Sequence, residues 1–345
     1  MSRIPVAVVG ATGAVGQALV AALHGHPWFT VEALVASERS AGLKYRDAVR
    51  WVLPGSVPPE VADRTVLDVT ADLQTPIILS CIDAGLAREL EPQWAQRGHR
   101  VFSNASAFRL HPTVPLLIPE VNADHYALVQ YRDSAWKGLI VTNPNCCVAG
   151  LAMALGPLTK RWSLERVYVT TFQAVSGAGL QGLAALPIAD NVIPWIAGEE
   201  EKLQKEPPKI LGWLQGARVV EYPVEIIPSC YRVPVRHGHT LALVIEGDAD
   251  MTPERAAEAW RDFRPPDWVR QLPSGVGQPI RVWTEVDRPQ PALDRDEGQG
   301  MVVHVGRIRG QAGRVLCTVL VHNLIRGAAG AVLLNAELSV SLNPL

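Results

Sequence analysis

Val6-Ala7-Val8-Val9-Gly10-Ala11-Thr12-Gly13-Ala14-Val15-Gly16-Gln17 is the stretch that decides the fold. The apolar residues 6–9 read as a short buried strand, and the apolar period of 17–23 reads as a helix. The glycines between them have GxxGxxG spacing. A glycine-rich turn from strand to helix lets the backbone approach a pyrophosphate, and the helix N-terminus attracts its charge. Many such turns are only turns. The position directly after the first strand favours dinucleotide binding.

Outward from that turn the pattern repeats. A second strand at 31–35 ends in Ala36-Ser37-Glu38-Arg39-Ser40-Ala41-Gly42. The end of the second strand is where such folds read the adenosine ribose. An acid there suits NAD, whereas a guanidinium among hydroxyls suits the 2′-phosphate of NADP. Ser37, Arg39 and Ser40 together favour NADP over a merely solvated loop. Strands at 76–81, 101–102 and 139–141, with a helix at 86–96 closed by Gly98, continue the alternation. The expected architecture is an N-terminal Rossmann-type, doubly wound parallel sheet. Beyond residue 146 the strands at 166–174, 241–245, 280–284, 301–308 and 315–321 suggest an α+β half with a mostly antiparallel sheet. A helix from Glu199 should be broken by Pro207-Pro208. Another runs from Thr252-Pro253 to about residue 263, and a last one spans 328–339. The charged stretch 285–300 is long enough to suggest a function or an oligomer contact.

Composition narrows the classes. The 345 residues are 48% hydrophobic and 19% charged, enough for two domains with large cores. A net charge of −2 gives no footprint for nucleic acid or an anionic membrane. No apolar run is long enough for a membrane span. The five cysteines are odd in number and follow no secretory segment, so reduced thiols in a cytoplasmic protein are expected.

The chemistry gathers at Thr142-Asn143-Pro144-Asn145-Cys146-Cys147, between an apolar strand and a helical run. A helix start there, with unpaired N–H groups and the positive dipole end, would favour a thiolate. Gln173 ends a strand before the small-residue loop Ser176-Gly177-Ala178-Gly179. Arg232, Arg236, His237 and His239 cluster before the next strand. A metal on the histidine pair lacks a third ligand at suitable spacing, so no metal is expected. A general base beside an anion-anchoring arginine is the better reading. Dinucleotide, thiol, amide, imidazole and arginines together suit a dehydrogenase with a covalent thioester step.

These residues resemble the aspartate-β-semialdehyde dehydrogenase family over nearly the whole chain. The resemblance is carried by GATGAVGQ (10–17), ASERSAG (36–42), SNASAFR (103–109), TNPNC (142–146) and QAVSGAG (173–179). DNVIPWIAGEEEK (190–202), RVPVRHGHT (232–240), DRPQPALDRDEGQGM (287–301) and HNLIRGAAGAVLLNAEL (322–338) extend it. The DRPQP and GEEEK segments look like the archaeal and fungal branch. The resemblance implies reduction of L-aspartyl-4-phosphate to L-aspartate 4-semialdehyde, in lysine, threonine and methionine biosynthesis. It implies Cys146 as nucleophile, Gln173 as the residue orienting the intermediate and His239 as acid/base. Arg232, Arg109, Lys202, Glu199 and Asn145 would hold substrate and phosphate. Gly10, Thr12, Gly13, Ala14, Val15, Ser37, Arg39 and Ser40 would hold NADP, with Ser176, Gly177 and Asn323 nearer the nicotinamide. It further implies an NADP-binding domain at 1–145 completed by a C-terminal helix at 324–345, a catalytic and dimerisation domain at 146–323, and a homodimer or homotetramer. Cys147, Leu324 and Pro207-Pro208 depart from the family pattern. The competing readings are an enzyme resembling malonyl-CoA reductase and a non-catalytic paralogue.

Overall fold

The structure, a computed structural model, describes residues 3–180 and 182–344. The apolar run at 6–9 lies inside the first strand, β1 (Ile4–Val9), with Val6 to Val9 fully buried. It is flanked by β2 (Phe29–Ala36), β3 (Val66–Asp68), β4 (Ile77–Ser80), β5 (Arg100–Ser103) and β6 (Leu139–Thr142). The sheet order is β3-β2-β1-β4-β5-β6, and every pairing is parallel. β4 and β6 are buried along their whole length, which explains why they are apolar up to their last residues, Ser80 and Thr142. Helix α1 (Ala14–Leu23) follows β1 and α2 (Ala84–Arg97) follows β4. Asp83 caps α2 by accepting from Gly85 and Leu86, and Gly98 ends it at φ 106°. The strand order reverses between β1 and β4, the switch point where open α/β sheets receive ligands.

The chain enters its second half through α3 (Cys146–Thr159). A second sheet joins β7 (Leu164–Ala174), β10 (Glu225–Val233), β11 (His239–Gly247), β12 (Ile280–Val282), β13 (Val303–Gln311) and β14 (Arg314–Val321); β8 (Trp213–Gln215) and β9 (Arg218–Val220) form a separate hairpin. Its order is β10-β7-β11-β14-β13-β12. The three inner pairings are antiparallel as expected, but both outer ones are parallel, so the sheet is mixed. Burial alternates along β7, and its inward side chains Val167 and Val169 join Leu151 and Leu155 of α3 in one core. Helix α5 (Pro253–Asp262), capped by Thr252, closes that core with Trp260, whose Nε1 donates to the Ala154 carbonyl at 2.7 Å. All five cysteines are free thiols.

Two expectations need correcting. Pro207-Pro208 does not break its helix: α4 runs uninterrupted from Glu199 to Leu211. Proline φ is compatible with a helix, and the cost is the missing N–H bonds. That cost is offset here because the last turns are buried through Glu206, Lys209 and Ile210, and the Pro208 carbonyl takes the Tyr222 N–H at 2.9 Å. The C-terminal helix, for its part, starts with a π-helical turn (Ile325–Ala329) before α6 (Gly330–Leu342). Such turns cluster at functional sites. This one brings Gly327 so close to α3 that a Cβ would lie 2.5 Å from Cys146 Cβ. Val332, Leu333 and Leu338 of α6 pack into the core of the first sheet.

Candidate active site

The C-terminal ends of β1, β4 and β5, the start of α3, the end of β7 and the face of α4 line one cleft of about 440 Å³. It contains Gly13, Ala14, Val15, Arg109, Asn145 and Cys146, and Gln173, Ser176, Gly177, Glu199, Lys202, Arg232 and Asn323 also line it. A larger hollow of about 730 Å³ between α1 and the 273–277 loop holds neither a cysteine, a lysine nor an arginine. The smaller cleft is therefore the one that gathers the cysteine, glutamine and arginines singled out in the sequence.

At its glycine end, Gly10 takes φ +79°, and a Cβ there would meet the Cys81 carbonyl at 2.6 Å. A Cβ on Gly16 would lie 2.2 Å from the Gly10 carbonyl, so the turn closes only with glycine. The N-cap, Gly13, offers no side chain to the first N–H groups of α1. Tyr45 Oη and Gln17 Nε2 take up the Ala11 and Thr12 carbonyls at 2.8 and 3.0 Å. That tethers the turn by its carbonyls and leaves N–H donors for an anion, which fits a dinucleotide pyrophosphate. Ser37, Arg39 and Ser40 do not line the cleft; they form a largely exposed turn closed by the Ser40 N–H on the Ser37 carbonyl at 2.8 Å. That turn adjoins the glycine turn, because the Val35 carbonyl accepts from both Gly10 and Ala11 at 2.9 and 3.0 Å.

At the other end, Cys146 opens α3 and its Sγ lies 3.1 Å from His239 Nε2. His239 is fully buried, and its Nδ1 accepts the Ala174 N–H at 3.0 Å. The ring hydrogen is therefore on Nε2, aimed at sulfur. The same geometry weighs against a metal. Cys146, Cys147 and His239 place ligand atoms within 4.8 Å of one another, the one such grouping among the described residues. A metal-bound histidine donates from its second nitrogen, whereas here that nitrogen accepts.

The Cys146 thiol is held well below its ordinary pKa, first by the neighbouring Cys147 thiol and then, against the opposing effect of burial, by His239. Cys147 is pushed well above, mainly by burial and then by its hydrogen bond to Cys146, so the proton of the pair stays on Cys147. This corrects one expectation. The helix start is not unpaired: Asn145 Oδ1 accepts from Cys147 and Val148 at 2.9 and 3.4 Å. Side chains, more than open N–H groups, stabilise this thiolate.

The remaining residues converge through register and helix facing. Gln173 on β7 pairs directly with Arg232 on β10, which puts both at the same rim. Glu199 accepts from Gln173 Nε2 at 3.1 Å, from Asn145 Nδ2 at 2.9 Å and from Lys202 Nζ at 2.7 Å. Burial would raise its carboxyl, but Lys202, Asn145 and Gln173 outweigh burial and hold it below the ordinary value. Arg232 Nη1 donates to the Ala174 carbonyl at 2.7 Å, and a Cβ on Gly177 would lie 2.8 Å from that nitrogen. Ser176 Oγ is held by Asn323 Nδ2 and His237 Nδ1, each at 2.9 Å. Sequence reasoning missed His237 as a tether, along with Asn104, whose carbonyl takes Arg109 Nη2 at 2.6 Å. It also missed Glu206, which pairs with Arg109 at 2.9 Å. No local signal marks the last, because Arg109 lies 97 residues away in sequence.

Residues 5–129 match the family described as semialdehyde dehydrogenase, NAD binding domain, and residues 155–326 match semialdehyde dehydrogenase, dimerisation domain. An aspartate-semialdehyde dehydrogenase of Archaeoglobus fulgidus is 45% identical over 98% of this chain and 98% of its own length. The crystal structure of aspartate semialdehyde dehydrogenase with NADP from Candida albicans superposes with a TM-score of 0.91 at 34% identity, covering 100% of both chains. Aspartate semialdehyde dehydrogenase II of Vibrio cholerae, complexed with ASA, gives a TM-score of 0.79 at 27% identity, covering 99% of each chain.

Proposed function

The chain belongs to the aspartate-semialdehyde dehydrogenase family, in its archaeal and fungal branch, and from this we propose that it reduces L-aspartyl-4-phosphate to L-aspartate 4-semialdehyde with NADP as cofactor, through a thioester on Cys146. The observation that carries the proposal is the depressed Cys146 thiol, 3.1 Å from His239 Nε2, in the cleft that also holds the glycine turn.

In this reading the Cys146 thiolate attacks the acyl carbon, and the C–O bond to phosphate breaks as the C–S bond forms. Arg109 and Lys202 take the departing phosphate. Arg232 pairs with the substrate carboxylate, Glu199 holds its amino end, and Gln173 and Asn145 orient the acyl group. NADPH, when bound, supplies the hydride. The glycine turn would receive its pyrophosphate, Ser37, Arg39 and Ser40 its 2′-phosphate, and Ser176, Gly177 and Asn323 its nicotinamide end. His239 gives the Nε2 hydrogen to the oxygen that gains charge on reduction, then takes it back as the C=O bond re-forms and the C–S bond breaks, releasing the Cys146 thiolate. This assigns cofactor binding to residues 1–145 with 324–345, and catalysis and dimerisation to 146–323. The reaction would serve lysine, threonine and methionine synthesis. Tyr168, Phe172 and Ile227, exposed on the outer face of the second sheet, support a homodimer or homotetramer, which sedimentation would distinguish from a monomer. No helix among the described residues is long and apolar enough to cross a membrane.

The test runs the reaction in the oxidative direction. NADPH formation from aspartate semialdehyde should require phosphate; absence of a phosphate-dependent signal overturns the assignment.

A further inference from the structure

Glu199, Lys202, Glu206 and Lys209 lie on one face of α4 at spacings i, i+3, i+7 and i+10. The first two line the cleft. The other two lie behind it, 2% and 5% exposed. A buried carboxylate and a buried ammonium need partners, and here the partners form a pattern.

Glu206 divides its two oxygens between two structures. Oε1 accepts from Arg109 Nη1 at 2.9 Å, and Oε2 accepts the main-chain N–H of Asn145 at 2.7 Å. One carboxylate thus bridges the arginine at the end of the β5 loop and the turn that carries the nucleophile. Lys209 Nζ donates to the carbonyls of Arg109, His111 and Val114 at 2.8, 2.8 and 2.9 Å. Helix α4 therefore holds Arg109 at both its guanidinium and its carbonyl. Arg109 Nη2 is taken by the Asn104 carbonyl, while its buried Nε–H has no partner in the protein. The guanidinium is fixed by two protein contacts and keeps further N–H donors, the buried Nε–H among them.

We propose that Glu206 is a positioning residue for the phosphate half of the reaction, holding Arg109 at a set distance from the Asn145-Cys146 turn through its bridge between them. The inference rests on the reading of Arg109 as a phosphate ligand. Its physical content is that a carboxylate can accept from two donors at once, whereas an amide presents one acceptor and one donor. Glu206→Gln therefore sets an N–H against either Arg109 or Asn145 and releases one of them. Arg232, Glu199 and Gln173, which hold the semialdehyde, make no hydrogen bond to Glu206, so that end of the site should be affected less.

The experiment measures steady-state kinetics of the full-length enzyme in the oxidative direction, varying inorganic phosphate and aspartate semialdehyde separately. For Glu206→Gln the KM for phosphate should rise about tenfold or more, as loss of a charge-assisted contact implies. The KM for semialdehyde should stay within about twofold. Glu206→Asp keeps the charge but is one methylene shorter, and should fall between wild type and Glu206→Gln; it is read by the same criteria should Glu206→Gln fail to fold. Equal rises in both KM values, or a fall in kcat with both KM values unchanged, overturns the inference in favour of a merely structural role. Arg109→Lys separates the two levels. A raised phosphate KM in Arg109→Lys with an unchanged one in Glu206→Gln defeats the inference alone. An unchanged phosphate KM in Arg109→Lys defeats the assignment of Arg109, and the inference with it.

Discussion

The glycine turn after β1 and the cysteine turn after β6 are both helix starts at the end of a strand in the same parallel sheet, yet they are opposite constructions. The first is open. Its N-cap is Gly13, no side chain covers the N–H groups, and its carbonyls are tied back by Tyr45 and Gln17. The second is closed. Asn145 satisfies two N–H groups with its own oxygen and gives its own N–H to Glu206. An open helix start can take an anion on its backbone. At the second start Asn145 already occupies the Cys147 and Val148 N–H groups, and side chains on distant elements bring charge to Cys146. The difference separates a site built by backbone from a site built by side chains, at matching positions of one sheet.

The largest expected effect tests the closed start. Cys146→Ser should abolish turnover in a steady-state assay, because a serine hydroxyl is a far weaker nucleophile than a thiolate. Cys147→Ser should keep most of the activity, since a hydroxyl can still donate to the Cys146 sulfur. Cys147→Ala removes the donor that most lowers the Cys146 pKa. The thiolate then forms at higher pH, and the acid limb of the pH–rate profile should move up. Equal losses in Cys146→Ser and Cys147→Ser would mean that the wrong sulfur has been taken as nucleophile.

A smaller effect sharpens the open start. If the backbone holds the pyrophosphate, side chains in that half matter only where the turn meets the ribose. Arg39→Ala should then raise the KM for NADP by about tenfold, the worth of one charge-assisted contact, and leave the KM for NAD nearly unchanged. An equal change for both cofactors would remove Arg39 from 2′-phosphate recognition.

The same contrast explains what could be read in the chain. The strand–helix alternation of the first half, the glycine turn and the helix start at Cys146 are local: strand, turn and helix adjoin in sequence, and their periodicity and glycines signal them. The mixed pairing of the second sheet was not legible, because β10 and β12 pair in parallel across long connections that leave no local signature. The thiol site was legible as a set of reactive residues, and their resemblance to a known family supplied their roles. The contacts between them were not. Lys209 looks like part of a solvated charge cluster until α4 is known to continue through its prolines, and nothing local marks Glu206 as the partner of Arg109. Glu120 and Arg326, a buried pair at 2.7 Å, lie far apart in sequence and meet only through the π turn.

The smallest predicted effect lies where the two constructions meet. Glu91, on α2, belongs by position to the backbone-built sheet but behaves like the side-chain-built site. Its Oε1 accepts from Ser80 and Ser103 at 2.7 and 2.6 Å, at the paired ends of β4 and β5, and its Oε2 has no partner. Those strand ends lead into Cys81 and Asn104, both in the cleft. Burial, against the two serine hydroxyls, pushes the Glu91 carboxyl up from 4.5 to about 7. A raised carboxyl binds its proton more tightly in the folded chain than in the unfolded one. Its stabilising contribution is therefore complete below pH 4.5 and is lost as pH rises through about 7. The slope in that window is at most about 1.4 kcal/mol per pH unit. Glu91→Gln has no proton to lose, so the urea midpoint of wild type should fall more between pH 5 and pH 8 than that of the variant. The same pH dependence in both proteins would mean that Glu91 is already ionised at pH 5, with solvent reaching the strand ends. The floor of the cleft would then be wetter, and less like the buried side-chain site, than its hydrogen bonds indicate.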